Sequence, residues 1–355
     1  MKKTFGIASA FILAAGLTAG CSSNGASSEQ KENKDTLDVY TTIYPLEDFT
    51  KKIGGDYVNV KSVYPPNVEA HTYEPSSKTM AEISDSDAFI YSGVGVEGFA
   101  DKAVNTLKNS DVKIVKAGEG IDLLSREEEG EHDEHAHEEE HGEHDEHAHE
   151  EEHGEHDEHA HEEEHEHGEA EGHDHHHDHG DHDPHVWLDP VLAEKLAENI
   201  KDELVKLEPE HEKTFTKNYE SLKKDLEQLN KDFKQTVDKA DKKEILVSHA
   251  AYGYWEKRYG IKQISVLGLS PTEEPSQKQL ENIVKTAKEH NIKYVIFESN
   301  VSSKISEIIK KEIGAESLTM KNLESVSKED IENGKDYTAI MKENLAVLKK
   351  ALSNK

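Results

Sequence analysis

Five of the 24 histidines stand outside the histidine-dense middle of the chain, and three of those five sit in contexts suited to metal ligation. His71 falls in PPNVEAHTYEP, His185 in DPHVWLDP and His249 in ILVSHAAYGYW. Each lies beside a predicted strand end or helix start, where binding residues of alternating α/β chains gather. Three imidazoles with one carboxylate or a water would complete a tetrahedral zinc sphere. Thiolate ligation is excluded in the mature protein, because Cys21 is the only cysteine in 355 residues and has a different expected role. The same count excludes an internal disulfide. His211 and His290 lie in Lys/Glu-rich helical surface and receive no role.

The other nineteen histidines fill one segment. A twelve-residue repeat, GEHDEHAHEEEH, occupies Gly130 to His141, Gly142 to His153 and Gly154 to His165, and a cluster HDHHHDHGDH runs from His173 to His182. They are His132, His135, His137, His141, His144, His147, His149, His153, His156, His159, His161, His165, His167, His173, His175, His176, His177, His179 and His182. So polar a composition cannot bury a core, and a disordered loop is expected. Imidazoles among carboxylates attract divalent cations, but a flexible chain loses entropy for each chelate it closes. The segment therefore reads as an auxiliary metal collector or buffer with several weak, interchangeable sites. Between Glu127 and Asp183 there are 28 acidic residues and no Lys or Arg, so the net charge of −33 leaves only −5 for everything else. Without a basic face, nucleic acid is not an expected ligand.

At the N-terminus, Lys2 and Lys3 precede an apolar run from Phe5 to Leu17 and small residues before Cys21. That is the pattern of an export signal, and the run is shorter than the ~20 residues of a membrane-spanning helix. The segment LTAGC resembles a bacterial lipoprotein box, which implies lipidation of Cys21; Ser22 to Asp35 then reads as a flexible tether.

Those histidines need elements to hold them. Four β-branched segments, Leu37 to Tyr44, Tyr57 to Tyr64, Ala88 to Tyr91 and Val112 to Val115, alternate with helical or polar stretches. Leu192, Leu196, Ile200, Leu204 and Leu207 form one helical face, and after Pro209 the apolar positions Leu222, Leu226, Leu229, Phe233 and Val237 extend a second helix over roughly 28 residues. The strand pattern then repeats at Ile245 to Ser248, Gln263 to Leu267, Tyr294 to Glu298 and Ser317 to Met320. Helices are expected over Gln277 to Glu289, Ser303 to Ile313 and Tyr337 to Leu352. The fold class is α/β: two lobes, each a four-stranded mainly parallel sheet flanked by helices, joined by one long rigid helix and carrying a disordered His-rich insertion. The expected division is a signal peptide 1–20, a lipidated cysteine and tether 21–36, and an N-terminal lobe 37–207 with the loop 127–183. A connecting helix 208–240 and a C-terminal lobe 241–355 follow.

The motifs HTYEP, DPHVWLDP, SHAAYGYW and FESNVSSK (Phe297 to Lys304) resemble the metal-binding solute-binding proteins of bacterial ABC transporters (cluster A-I, also called cluster 9), in particular the zinc-uptake lipoproteins. The resemblance covers about Leu37 to Leu352. It implies Zn²⁺ as cargo, His71 and His185 as ligands from the N-terminal lobe, and His249 as the ligand from the C-terminal lobe. Relatives that carry manganese have a glutamate in place of His249. Asp336, in NGKDYTAIMKENL, is the candidate fourth ligand, with a water molecule or Glu298 as alternatives; Glu298 is otherwise read as a hydrogen-bonding residue, and Asp189 and Glu74 as supports for imidazoles. The implied function is high-affinity zinc capture outside the cytoplasm and delivery to an importer permease with its cytoplasmic ATPase. The protein would be a monomer anchored by lipid to the membrane of a Gram-positive cell; forty lysines against Arg126 and Arg258 fit an AT-rich genome. A receptor for manganese or another divalent metal and a surface adhesin are the alternatives. A zinc enzyme is not expected, since no HExxH helix or nucleophile motif accompanies the histidines.

Overall fold

The computed structural model describes residues 36–125, 182–300 and 303–353. The signal peptide, Cys21 and its tether up to Asp35, and the His-rich segment apart from His182 and Asp183 lie outside the described residues.

Two sheets repeat one topology. In the first, β1 (Leu37–Thr41), β2 (Val58–Ser62), β3 (Ala88–Tyr91) and β4 (Lys113–Lys116) are ordered β2-β1-β3-β4; in the second, β5 (Glu244–Val247), β6 (Lys262–Ser265), β7 (Tyr294–Glu298) and β8 (Glu316–Met320) are ordered β6-β5-β7-β8. Every pairing is parallel. Parallel neighbours require crossovers, and short amphipathic helices supply them. These are α1 (Tyr44–Gly54), α2 (Ser77–Ser84) and α3 (Ala100–Leu107) in the first half, and α6 (Gly253–Tyr259), α7 (Gln277–Glu289) and α8 (Lys304–Ile313) in the second. The expected strands are all present, displaced by at most a few residues at their ends. Both sheets belong to one compact unit spanning Thr36–Lys355.

Between the sheets run α4 (Pro190–Leu207) and α5 (Glu212–Asp238). Asp189 starts α4: its side chain accepts the Val191 amide at 2.9 Å, and Pro190 fits a first helical turn that lacks amide acceptors. The 27 residues of α5 extend about 40 Å at 1.5 Å per residue. Its stripe of Phe215, Tyr219, Leu222, Leu226, Leu229, Phe233 and Val237 is buried, and α1, α4, α6 and α10 (Tyr337–Ala351) pack against it. Through this stripe the main apolar core is continuous between the halves, while Leu246, Val266, Leu267, Ala287, Val295 and Ile309 form a smaller core under the second sheet. A short helix α9 (Lys328–Glu332) precedes α10. Among the described residues no helix is long and apolar enough to cross a membrane.

Candidate metal centre

Loops at the carboxyl ends of parallel strands project beyond the same edge of a sheet, and three of the site residues come from such loops. His71 follows β2, His249 comes two residues after β5, and Glu324 four residues after β8. His185 comes from the segment after the insertion, immediately before a 3-10 turn, Val186–Leu188, that leads into α4. One ligand atom from each of His71, His185, His249 and Glu324 lies within 4.8 Å of the other three, and all four residues are buried.

The distances suit a small cation. Glu324 Oε1 stands 3.4 Å from His71 Nε2 and 3.8 Å from His185 Nε2. In a tetrahedral zinc sphere, bonds of about 2.0–2.1 Å place neighbouring donor atoms roughly 3.3–3.5 Å apart. His185 Nε2 and Glu324 Oε1 are fully buried and make no hydrogen bond within the protein. Orphaned buried donors and acceptors are costly, and a metal ion would satisfy both.

Each of these imidazoles is held from behind. Asp183 Oδ1 lies 2.7 Å from His185 Nδ1 and accepts the His185 backbone amide at 2.8 Å, which points Nε2 at the site. Both carboxylate oxygens of Glu298 lie 3.0 Å from His249 Nδ1, so Nε2 of that ring also faces the site, 2.9 Å from the Leu269 carbonyl oxygen. With acceptors on both nitrogens the ring is satisfied as imidazolium; a metal would take Nε2 in exchange for the Leu269 carbonyl. The loop carrying His71 is folded against Gly98, where an added Cβ would lie 2.7 Å from the His71 carbonyl oxygen. Glu69 accepts the His71 amide at 2.8 Å.

Charge is balanced inside the cluster. Burial works against a charged His185, but the Asp183 and Glu324 carboxylates outweigh it and push its pKa up to about 10. For His249, burial is likewise outweighed, chiefly by Glu298, and its pKa is raised. Glu324 would be raised by burial, yet the surrounding histidines hold it well below the usual carboxylate range.

Hydrogen bonds tie the two halves together at this point. Trp187 Nε1 donates to the Asn322 carbonyl at 2.7 Å, Tyr337 Oη to the Trp187 carbonyl at 2.6 Å, and Trp255 Nε1 to the Leu188 carbonyl at 2.6 Å. Tyr254 Oη donates to the Asp183 carbonyl at 2.7 Å, and the Asp183 amide donates to Leu124 at 2.9 Å. The backbone bridge Ser125–His182 lies just beyond, three residues from His185.

The three sequence-predicted histidines are thus brought together, and Glu298 takes the hydrogen-bonding position beside His249. Asp336 is not in the group, and Glu324 occupies the place expected for it. The Asp336 carboxylate caps α10 by accepting the Ala339 amide at 2.7 Å and pairs with Lys52 at 2.9 Å, which holds it at the surface. Asp189 supports no imidazole either: it caps α4 and pairs with Arg258. Glu74 is exposed. The residues missed were Glu324, Asp183 and Asn322. The repeated strand pattern was the available signal for Glu324, because an acid just past the last strand of the second half occupies a strand-end position like that of His249.

Residues 39–351 match the model of the ZnuA family, described as zinc-uptake complex component A, periplasmic. The chain belongs to this family. ZnuA proteins are solute-binding components, not enzymes. The high-affinity zinc uptake system protein ZnuA of Bacillus subtilis is 38% identical over 348 residues, covering 98% of this chain and 96% of that protein. The zinc-binding lipoprotein AdcA of Streptococcus pneumoniae is 35% identical over 330 residues, covering 91% of this chain and 57% of AdcA, so the chain spans little more than half of that relative. Among solved structures, the Zn(II)-bound ZnuA-like domain of that AdcA superposes with a TM-score of 0.66 at 31% identity, covering 90% of this chain and 100% of the domain. A zinc-bound relative of this fold agrees with the donor set found here, three imidazole nitrogens and a carboxylate oxygen.

Proposed function

We propose that this chain is the extracytoplasmic receptor that captures Zn²⁺ with His71, His185, His249 and Glu324 and delivers it to the permease of an ABC importer. The observation that carries the reading is the buried convergence of three imidazoles on one carboxylate. Four protein donors fill a tetrahedral sphere and leave no position for a substrate water, which suits a carrier and not a catalytic zinc. A nitrogen-rich set also favours zinc over manganese, whose preference is for oxygen donors.

Further parts of the proposal rest on sequence. Cys21 is lipidated and anchors the protein to the outer face of a cell membrane, the segment 127–183 collects or buffers zinc beside the main site, and the two sheets act as lobes divided near 207 and 241. The relatives' names, a zinc uptake system protein and a zinc-binding lipoprotein, support the receptor and the anchor.

Competitive zinc titration with metal analysis tests the core of this reading. It compares the native chain with a 127–181 deletion and with the triple variant His71→Ala, His185→Ala and His249→Ala. The deletion should keep one tight zinc and the triple variant should lose it. Tight binding that survives the triple variant but not the deletion would make the protein a surface metal buffer.

A further inference from the structure

Asn322 touches three of the four ligand arms without ligating anything itself. Its Nδ2 donates to Glu298 Oε2 at 2.9 Å, and Glu298 is the carboxylate that orients His249. Its Oδ1 accepts the backbone amide of Glu324 at 3.2 Å. Its own carbonyl accepts Trp187 Nε1 at 2.7 Å, two residues beyond His185. The side chain is buried, and its orientation is dictated from both ends, since a carboxylate demands the NH₂ group and an amide N–H demands the oxygen.

We propose that Asn322 is a positioning residue that fixes the tetrahedral register of the site and thereby contributes to its preference for zinc over metals with larger coordination spheres. The inference rests on the zinc-receptor reading above. Without Asn322, Glu298 would lose a hydrogen bond that does not involve His249, and the carboxylate and the His249 ring could turn together. The Glu324 loop would lose one of its three holds, keeping the Tyr44 amide on its carbonyl and the Ala70 amide on Oε2. A carboxylate on a looser loop can tilt to offer both oxygens, and an expanded, oxygen-rich sphere is what manganese favours. A tightly held, single-oxygen Glu324 beside three nitrogens suits zinc.

The test is Asn322→Ala in the otherwise intact chain. This substitution removes both side-chain bonds and leaves the backbone carbonyl for Trp187. Asn322→Ser, which keeps a small hydroxyl, carries the test if the alanine variant does not fold. Zinc and manganese affinities and the thermal midpoint without metal are measured for each. The zinc affinity should fall by about 10–100-fold, the range seen when residues that orient metal ligands are removed. The manganese affinity should change by less than about threefold, so the zinc-to-manganese ratio drops. General loosening of the fold would weaken both metals in equal proportion, and that result overturns the proposal. So does a zinc affinity within about twofold of the native chain. A native chain that binds no zinc would overturn the receptor reading and this inference together, whereas tight native binding with an unchanged variant overturns this inference alone.

Discussion

Asp183 grips His185 at two points with one oxygen: Oδ1 lies 2.7 Å from the ring Nδ1 and accepts the backbone amide of the same residue at 2.8 Å. Ring and backbone are therefore fixed together, and the only free edge of the imidazole is the one that faces Glu324. Asp183→Ala should lower zinc affinity about 10–100-fold while His185 remains present. Asp183→Asn, which can still accept from the amide, should lose less. Isothermal titration against a competing chelator would show this, and equal, full affinity in both variants would mean that the contact does not orient the ligand.

Protons and zinc compete for the same atoms, and the direction follows from the shifts. His185 is pushed up to about 10 and His249 is also raised, so without metal their contribution to stability is complete below about pH 6.5 and is lost as pH rises through the folded values. Glu324 is depressed, so its contribution is present above the ordinary carboxylate range and is lost only as pH falls toward its lowered value. The metal-free protein should accordingly melt at a lower temperature at pH 9 than at pH 6.5. Zinc must displace protons from the histidines, so its affinity should rise over the same interval. Thermal melts with and without zinc, at free zinc held constant, should diverge as pH increases. A constant gap between the two curves from pH 6 to 9 would contradict the assignment.

Gly98 is the neighbour that lets the His71 loop close. A Cβ at this position would stand 2.7 Å from the His71 carbonyl oxygen, a backbone atom that can retreat only by moving the loop. Gly98→Ala should therefore push His71 away from Glu324 and weaken zinc binding several-fold or more, with little effect on helix content. The zinc-induced change in tryptophan fluorescence gives a convenient readout, since the Trp187 ring centroid lies 5.3 Å from that of His185. Unaltered affinity in Gly98→Ala would show that the loop has more room than the geometry allows.

The legible parts of the molecule were those set by short-range patterns. Apolar, β-branched segments placed the eight strands and period-3.6 apolar spacing the long helix, because Leu222, Leu226, Leu229, Phe233 and Val237 face one core along α5. His71, His185 and His249 stood out as histidines outside the repeat at loop-proximal positions beside strand ends or helix starts. What sequence spacing does not carry is which carboxylate closes the sphere. Glu324 and Asp336 are twelve residues apart in the same acidic, polar stretch, and both lie in loops. Only the three-dimensional path buries the first and puts the second at a helix N-terminus facing Lys52. Asp183 was hidden for a related reason: it ends a run of acids, and nothing local distinguishes the one that turns inward.

That distinction between the two carboxylates gives the sharpest remaining test. Glu324 is buried among three imidazoles with one oxygen making no hydrogen bond, so Glu324→Gln removes the negative charge that a divalent cation would meet there. Its zinc affinity should fall by more than the roughly 10–100-fold lost when a supporting residue is removed. Asp336 instead caps α10 through the Ala339 amide, so Asp336→Ala should leave zinc affinity unchanged and cost about 1 kcal/mol of stability, the usual value of a lost helix cap. In a chain of this size such a loss lowers the melting temperature by only about 2–4 °C. Zinc titration and thermal melts of the two variants, side by side, separate the roles. If Asp336→Ala lost the metal and Glu324→Gln kept it, the buried four-residue cluster would not be the zinc site.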